Sequence, residues 1–210
     1  MPSDSITQVL RHKIIPVVAI QDAADALSLA DALIQGGLPC AEITFRTAAA
    51  PEAIKAIAQR DDMLVGAGTV LSVDQVKQAM DAGATFIVSP GFNPKVVAYC
   101  VENHIAITPG VSNPTDIEMG LEFGLEVLKF FPAEAFGGLK TLKAMSAPYT
   151  MMQFIPTGGI GPDNVLQYLK HPKVPACGGS WMVKSDLIAE GQFERITELT
   201  REAVSIAAQV

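Results

Sequence analysis

No apolar run in this chain approaches the ~18 residues that a membrane span needs. The opening residues, Met1-Pro2-Ser3-Asp4-Ser5, lack the basic start and apolar core of an export signal. Cysteine is scarce. Cys40, Cys100 and Cys177 are odd in number and scattered, with no CxxC pair, which argues against a disulfide framework and for reduced thiols in a cytoplasmic protein. Basic residues are outnumbered, 15 Lys and Arg against 22 Asp and Glu, for a net charge of −7. Nothing in that balance resembles a nucleic-acid footprint, although a cleft with local positive groups could still take a small anion. Histidine is nearly absent, and no His/Asp/Glu cluster has metal-ligand spacing, so no metal is expected. His12, His104 and His171 each lie at the start of a strand or just after a helix. No Ser/Gly linker, low-complexity tract or charge block divides the chain, and residues 1–210 are expected to form a single domain.

What is present is an alternation. Short apolar runs at residues 14–20, 40–45, 63–69, 85–89, 105–108, 126–131, 153–157 and 175–178 read as strands. Residues 23–35, 51–59, 73–82, 94–102, 114–123, 139–145 and 162–169 read as the helices between them, with a last helix over 193–208. This alternation implies a parallel sheet. Eight such units predict an α/β fold, a single-domain (β/α)8 TIM barrel with short loops, since the chain is below the ~250 residues typical of that fold. A doubly wound open sheet is the alternative, but usually needs fewer strands. A short N-terminal helix precedes the barrel, with Ser5 and Gln8 fitting a capping box and Ile6, Val9 and Leu10 on one face. Pro51, Pro94, Pro114 and Pro162 fall in first helical turns, where the missing N–H costs nothing.

Active sites of such barrels lie at the C-terminal ends of the strands, so the polar residues there are the candidates. Lys129 stands near the end of an almost wholly apolar run and shares parity with Val127 and Phe131, which turns it inward. Burial penalises an ammonium, and a neutral amine is a nucleophile for carbonyl carbon; the alternative is a lysine that snorkels its charge into water. On the second strand Glu42, Thr44 and Arg46 share the inward parity. They are either working groups or a structural Glu–Arg ion pair across the interior. Thr69 ends the third strand. Ser89-Pro90-Gly91 and Thr108-Pro109-Gly110 end the fourth and fifth, where Pro-Gly reads as turn chemistry and leaves room above the barrel. The last two strands end in Thr157-Gly158-Gly159 and Gly178-Gly179-Ser180. Paired glycines there let N–H groups surround a phosphate, with Ser180 adding a hydroxyl, although a Gly-Gly pair can also be a plain turn.

In order along the chain stand Ala41-Glu42-Ile43-Thr44-Phe45-Arg46-Thr47, Gly66-Ala67-Gly68-Thr69-Val70, Ser89-Pro90-Gly91, Lys129-Phe130-Phe131-Pro132-Ala133-Glu134, Pro156-Thr157-Gly158-Gly159-Ile160 and Gly178-Gly179-Ser180-Trp181. From about Ile15 to the C-terminus the chain resembles the 2-keto-3-deoxy-6-phosphogluconate aldolase family, whose members often also act as 4-hydroxy-2-oxoglutarate aldolases. The resemblance implies a homotrimeric barrel and a class I, Schiff-base aldolase with no metal and no cofactor, acting on a small anionic 2-keto acid. It implies that Lys129 forms the imine and that Glu42 is the general acid/base. Arg46 and Thr69 would hold the pyruvate carboxylate, and Phe131 would form an aromatic wall. Thr157 would influence stereochemistry at the cleaved carbon. Gly158, Gly159 and Ser180 would bind phosphate, and Pro90 is counted with the substrate-binding residues. One departure is Asn113-Pro114, where a small hydroxyl residue is expected; it bears only on a helix cap. An aldolase for the C4-epimeric, galactonate-type substrate, a phosphosugar isomerase and a phosphosugar-binding barrel without aldolase activity are the alternatives.

Overall fold

The computed structural model describes residues 4–210. Its strands are β1 (Ile14–Val18), β2 (Cys40–Thr44), β3 (Leu64–Gly68), β4 (Ile87–Val88), β5 (Ile107–Thr108), β6 (Gly110–Val111), β7 (Val127–Phe130), β8 (Gln153–Pro156) and β9 (Cys177–Gly179). Every pairing is parallel, as helical crossovers between successive strands require. The order β5-β4-β3-β2-β1-β9 makes a curled six-stranded half-barrel sheet, and β6-β7-β8 makes a three-stranded sheet. An isolated parallel bridge links Thr157, just past β8, to Gly178 in β9.

The strand expected at 105–108 continues past Pro109 and changes partners there. Ile107 and Thr108 pair with Ile87 and Val88, whereas Gly110 and Val111 pair with Lys129 and Phe130. Pro109 has no N–H to give to a ladder, so regular pairing breaks at it, while its carbonyl still accepts from Lys129 N at 2.9 Å. The expected Pro-Gly turn is therefore extended chain.

Each strand separates two apolar layers. Val18, Ile43, Leu128 and Phe130 face the large core under the helices. Ile15, Phe86, Val88, Val127, Ile155 and Ala176 form a smaller interior cluster with Ile6 and Val9 of the N-terminal helix Asp4–Leu10. Burying Ile6 and Val9 contributes about 1.5–3 kcal/mol each, so that helix plugs one end of the interior. It is already helical at Asp4, so Ser5 is a helical residue and not its cap.

Pro51, Pro94 and Pro114 occupy first-turn positions. Pro162 does not: that helix starts only at Val165. Asn113 Oδ1 accepts from Asp116 N at 3.0 Å, so a carboxamide does the capping expected of a hydroxyl. A further helix, Ser185–Ala189, is too short to leave a periodic signal in the sequence. No helix among the described residues is long and apolar enough to cross a membrane.

Candidate active site

β7 and β2 bring Lys129 and Glu42 together inside the sheet. The two residues are 5% and 3% exposed, and Nζ lies 3.3 Å from Oε1. Glu42 lies against Gly68 of β3, where a Cβ would collide with its carboxylate; glycine at 68 makes room for the acid. The Lys129 ammonium also stands 5.3 Å from the centre of the Phe131 ring, within cation–π range. An internal space of about 10 Å3 adjoins Glu42, Lys129, Thr108 and Thr157. It has room for about one water and no substrate.

The Glu–Arg ion pair weighed from the sequence does not form, because Glu42 is paired with Lys129. β2 ends at Thr44, so strand parity no longer governs Arg46, which is exposed on the loop beyond. Arg46 Nε donates to Thr44 Oγ1 at 3.0 Å, and that buried hydroxyl donates to Val18 O at 2.6 Å. No carboxylate pairs with Arg46 among the described residues. Its guanidinium therefore has N–H groups to spare.

Arg46 lines a cleft of about 140 Å3 with Phe131, Thr157, Gly158, Gly159 and Ser180. Thr157 borders both this cleft and the internal space beside Lys129, so it marks their junction. Gly158 and Gly159 have φ of 97° and 78°, a left-handed conformation that glycine adopts without penalty. Consecutive residues of this kind can aim backbone N–H groups at an anion.

A buried amine–carboxylate pair beside a cleft rich in free donors suits carbonyl chemistry on an anion. The family model for KDPG and KHG aldolases matches residues 6–199. The chain belongs to that aldolase family. It is 52% identical over 197 residues to the 2-dehydro-3-deoxy-phosphogluconate aldolase of Treponema pallidum, covering 93% of this chain and 94% of that one. To the enzyme of the same name from Haemophilus influenzae it is 49% identical, with 97% of each chain covered. Among solved structures, the KDPG aldolase of Legionella pneumophila superposes with a TM-score of 0.92 at 38% identity, over 96% of this chain and 98% of that one. That crystal holds pyruvate captured as a covalent carbinolamine intermediate.

Two of the expected site residues of this aldolase stand apart from the cleft. Thr69 is half-buried with φ 56°. For a β-branched residue this is a genuine outlier, costing of order 1–3 kcal/mol and typical of functional sites. Pro90 lines a separate hollow of about 270 Å3 with Leu71, Ser89 and Asn93. None of His12, His104 and His171 borders the cleft or the internal space. The thiols are buried, and burial pushes Cys40 and Cys100 up to about 12, so neither is a thiolate at neutral pH. Thr44 had only its parity to single it out in the sequence; the structure adds its contact with Arg46.

Proposed function

We propose that this protein is a class I aldolase that cleaves 2-keto-3-deoxy-6-phosphogluconate to pyruvate and glyceraldehyde 3-phosphate, and 4-hydroxy-2-oxoglutarate to pyruvate and glyoxylate. The observation that carries the reading is the buried Lys129–Glu42 pair, 3.3 Å apart and one residue, Thr157, from a cleft lined by Arg46 and the Gly158-Gly159 turn. The first two relatives' names and the family's own name support the substrates.

In this reading Glu42 takes the ammonium proton across their contact, and the Lys129 amine attacks the C2 ketone. Glu42 returns that proton to the carbinolamine hydroxyl, which leaves as water, and the resulting iminium accepts the electron pair of the breaking C3–C4 bond. Glu42, directly or through one water, removes the C4 hydroxyl proton as the aldehyde leaves. Glu42 or its water then passes that proton to C3 of the enamine, and hydrolysis of the new iminium releases pyruvate and restores the lysine. Arg46 binds the substrate carboxylate through charge-assisted hydrogen bonds; Thr69 does not line the cleft, and its part in holding the carboxylate rests on the family resemblance alone. Phe131 bounds the cleft, Thr157 bears on the configuration at C4, and Gly158, Gly159 and Ser180 receive the phosphate; Pro90, in its separate hollow, is kept as a substrate-binding residue on the family resemblance alone.

The proposal extends to a single-domain (β/α)8 barrel, a homotrimer and a cytoplasmic location. Barrel closure is supported by the Thr157–Gly178 bridge and by the bond from Lys129 N to Pro109 O. Pyruvate with borohydride is the test of the chemistry. One three-carbon adduct is expected, on Lys129. An adduct on any of the other nine lysines, with Lys129 free, or no adduct at all, rejects the assignment. An isomerase or a sugar-phosphate sensor would give no adduct.

A further inference from the structure

Asn164 immediately precedes the helix Val165–Leu169, in the position where asparagine ordinarily caps helical N–H groups. Its side chain makes no such cap. Both ends of the carboxamide go instead to the turn after β8: Nδ2 donates to Gly159 O at 2.9 Å, and Oδ1 accepts from Gly161 N at 2.9 Å. The neighbouring carbonyls are held as well. Thr157 O accepts from Ala133 N at 2.8 Å, and Gly158 O from Glu134 N at 3.1 Å. A trans peptide is planar, with its C=O and N–H pointing to opposite sides. Anchoring the Gly158 and Gly159 carbonyls therefore turns the Gly159 and Ile160 N–H groups the other way. Neither N–H has an acceptor among the described residues, and both residues line the 140 Å3 cleft.

We propose that Asn164 is a positioning residue for phosphate recognition, holding the Gly159–Ile160 peptide so that its N–H is presented to the anion. The inference rests on the reading of this cleft as the phosphate end. Of the three carbonyl anchors, two are backbone groups, and Asn164 supplies the one side chain. Its role needs a donor and an acceptor at one reach. Alanine removes both; aspartate keeps the acceptor for Gly161 N–H, loses the donor and adds a negative charge beside the turn.

The test compares the parent with Asn164→Ala and Asn164→Asp. Specificity constants are measured for the phosphorylated substrate and for 4-hydroxy-2-oxoglutarate. Inhibition of the second reaction by inorganic phosphate and the melting temperature are followed in parallel. In Asn164→Ala the ratio of specificity constants should fall roughly threefold to tenfold, the scale of one lost hydrogen bond. The fall should appear mainly in KM, and phosphate inhibition should weaken by a similar factor. Asn164→Asp should lose more on both measures. A parent that prefers the phosphorylated substrate, with variants that keep its ratio and its phosphate inhibition, overturns the inference but not the cleft. Equal losses on both substrates with a lowered melting temperature also overturn it, since the residue is then only structural. A parent with neither preference nor phosphate inhibition overturns the reading of the cleft itself, and the inference falls with it.

Discussion

The two halves of the site differ in how their polar groups are kept. Inside the sheet, Lys129 and Glu42 are out of water and satisfied by each other. At the rim, Arg46 and Ser180 are exposed, and the N–H groups of Gly159 and Ile160 have no acceptor among the described residues. The contrast fits a division of labour. Groups that make and break bonds gain from a dry, low-dielectric position, where a fixed partner is needed to offset desolvation. Groups that recognise a charged substrate must keep free hydrogen-bonding capacity, and water can satisfy them until the substrate arrives.

Mutations should separate the halves by their effect on stability. Lys129→Ala is expected to abolish covalent trapping and turnover, and to cost about 3–5 kcal/mol in a denaturation experiment, because Glu42 is left buried without its counterion. A variant of parental stability would show that the pair is not the structural unit described above. Glu42→Gln is nearly isosteric and should fold. Turnover should drop by ~10²-fold or more, the usual scale of general acid–base catalysis, while slow imine formation persists under borohydride. Near-normal turnover would make the carboxylate only a counterion.

The interior was the more legible half from the sequence. Alternation along a strand is strict, so Glu42 and Lys129 could be turned inward from parity with Val127 and with the apolar residues between. Parity stops where a strand stops. Arg46 lies two residues past the end of β2, and its bond to Thr44 depends on loop geometry that no periodicity encodes. The extended chain at Pro109 was misread for a related reason: proline followed by glycine is a local turn signal, overridden here by pairing with β7 and by the neighbouring Thr108–β4 contact. The helix Ser185–Ala189 and the role of Asn164 in the turn were hidden by shortness. Five residues show no helical period, and an asparagine ahead of a helix looks like any cap.

At the rim, losses should appear in binding with little change in stability. If Arg46 holds the substrate carboxylate as proposed, Arg46→Met removes a charge-assisted contact worth about 1.5–3 kcal/mol, or roughly tenfold to hundredfold in kcat/KM on both substrates. Its exposed position predicts a stability change within about 0.5 kcal/mol. A large loss of stability with unaltered KM would reverse the assignment of Arg46 to the recognising half. Ser180→Ala should produce a loss of similar size, but only on the phosphorylated substrate, since 4-hydroxy-2-oxoglutarate has no phosphate to lose. An unchanged ratio of specificity constants would mean that Ser180 does not read phosphate.

Thr44 belongs to both halves, and its replacement should have the smallest effect. The residue is 1% exposed, and its hydroxyl donates to Val18 O while accepting from Arg46 Nε. It therefore ties the end of β2 to β1 and also orients a rim group. Thr44→Val keeps the shape and removes both bonds, which predicts a stability loss of about 0.5–1.5 kcal/mol and a shift of a few degrees in Tm. If the hydroxyl also aims the guanidinium, KM should rise severalfold on both substrates, because both carry the 2-keto acid carboxylate, with kcat changing less. Thr44→Ser restores the hydroxyl without the methyl group and separates the two roles. Recovery of KM in the serine variant, even at reduced Tm, assigns the orienting role to the oxygen. Equal KM values in the valine variant and the parent would confine Thr44 to the interior, and the boundary between the two halves would then fall after residue 44.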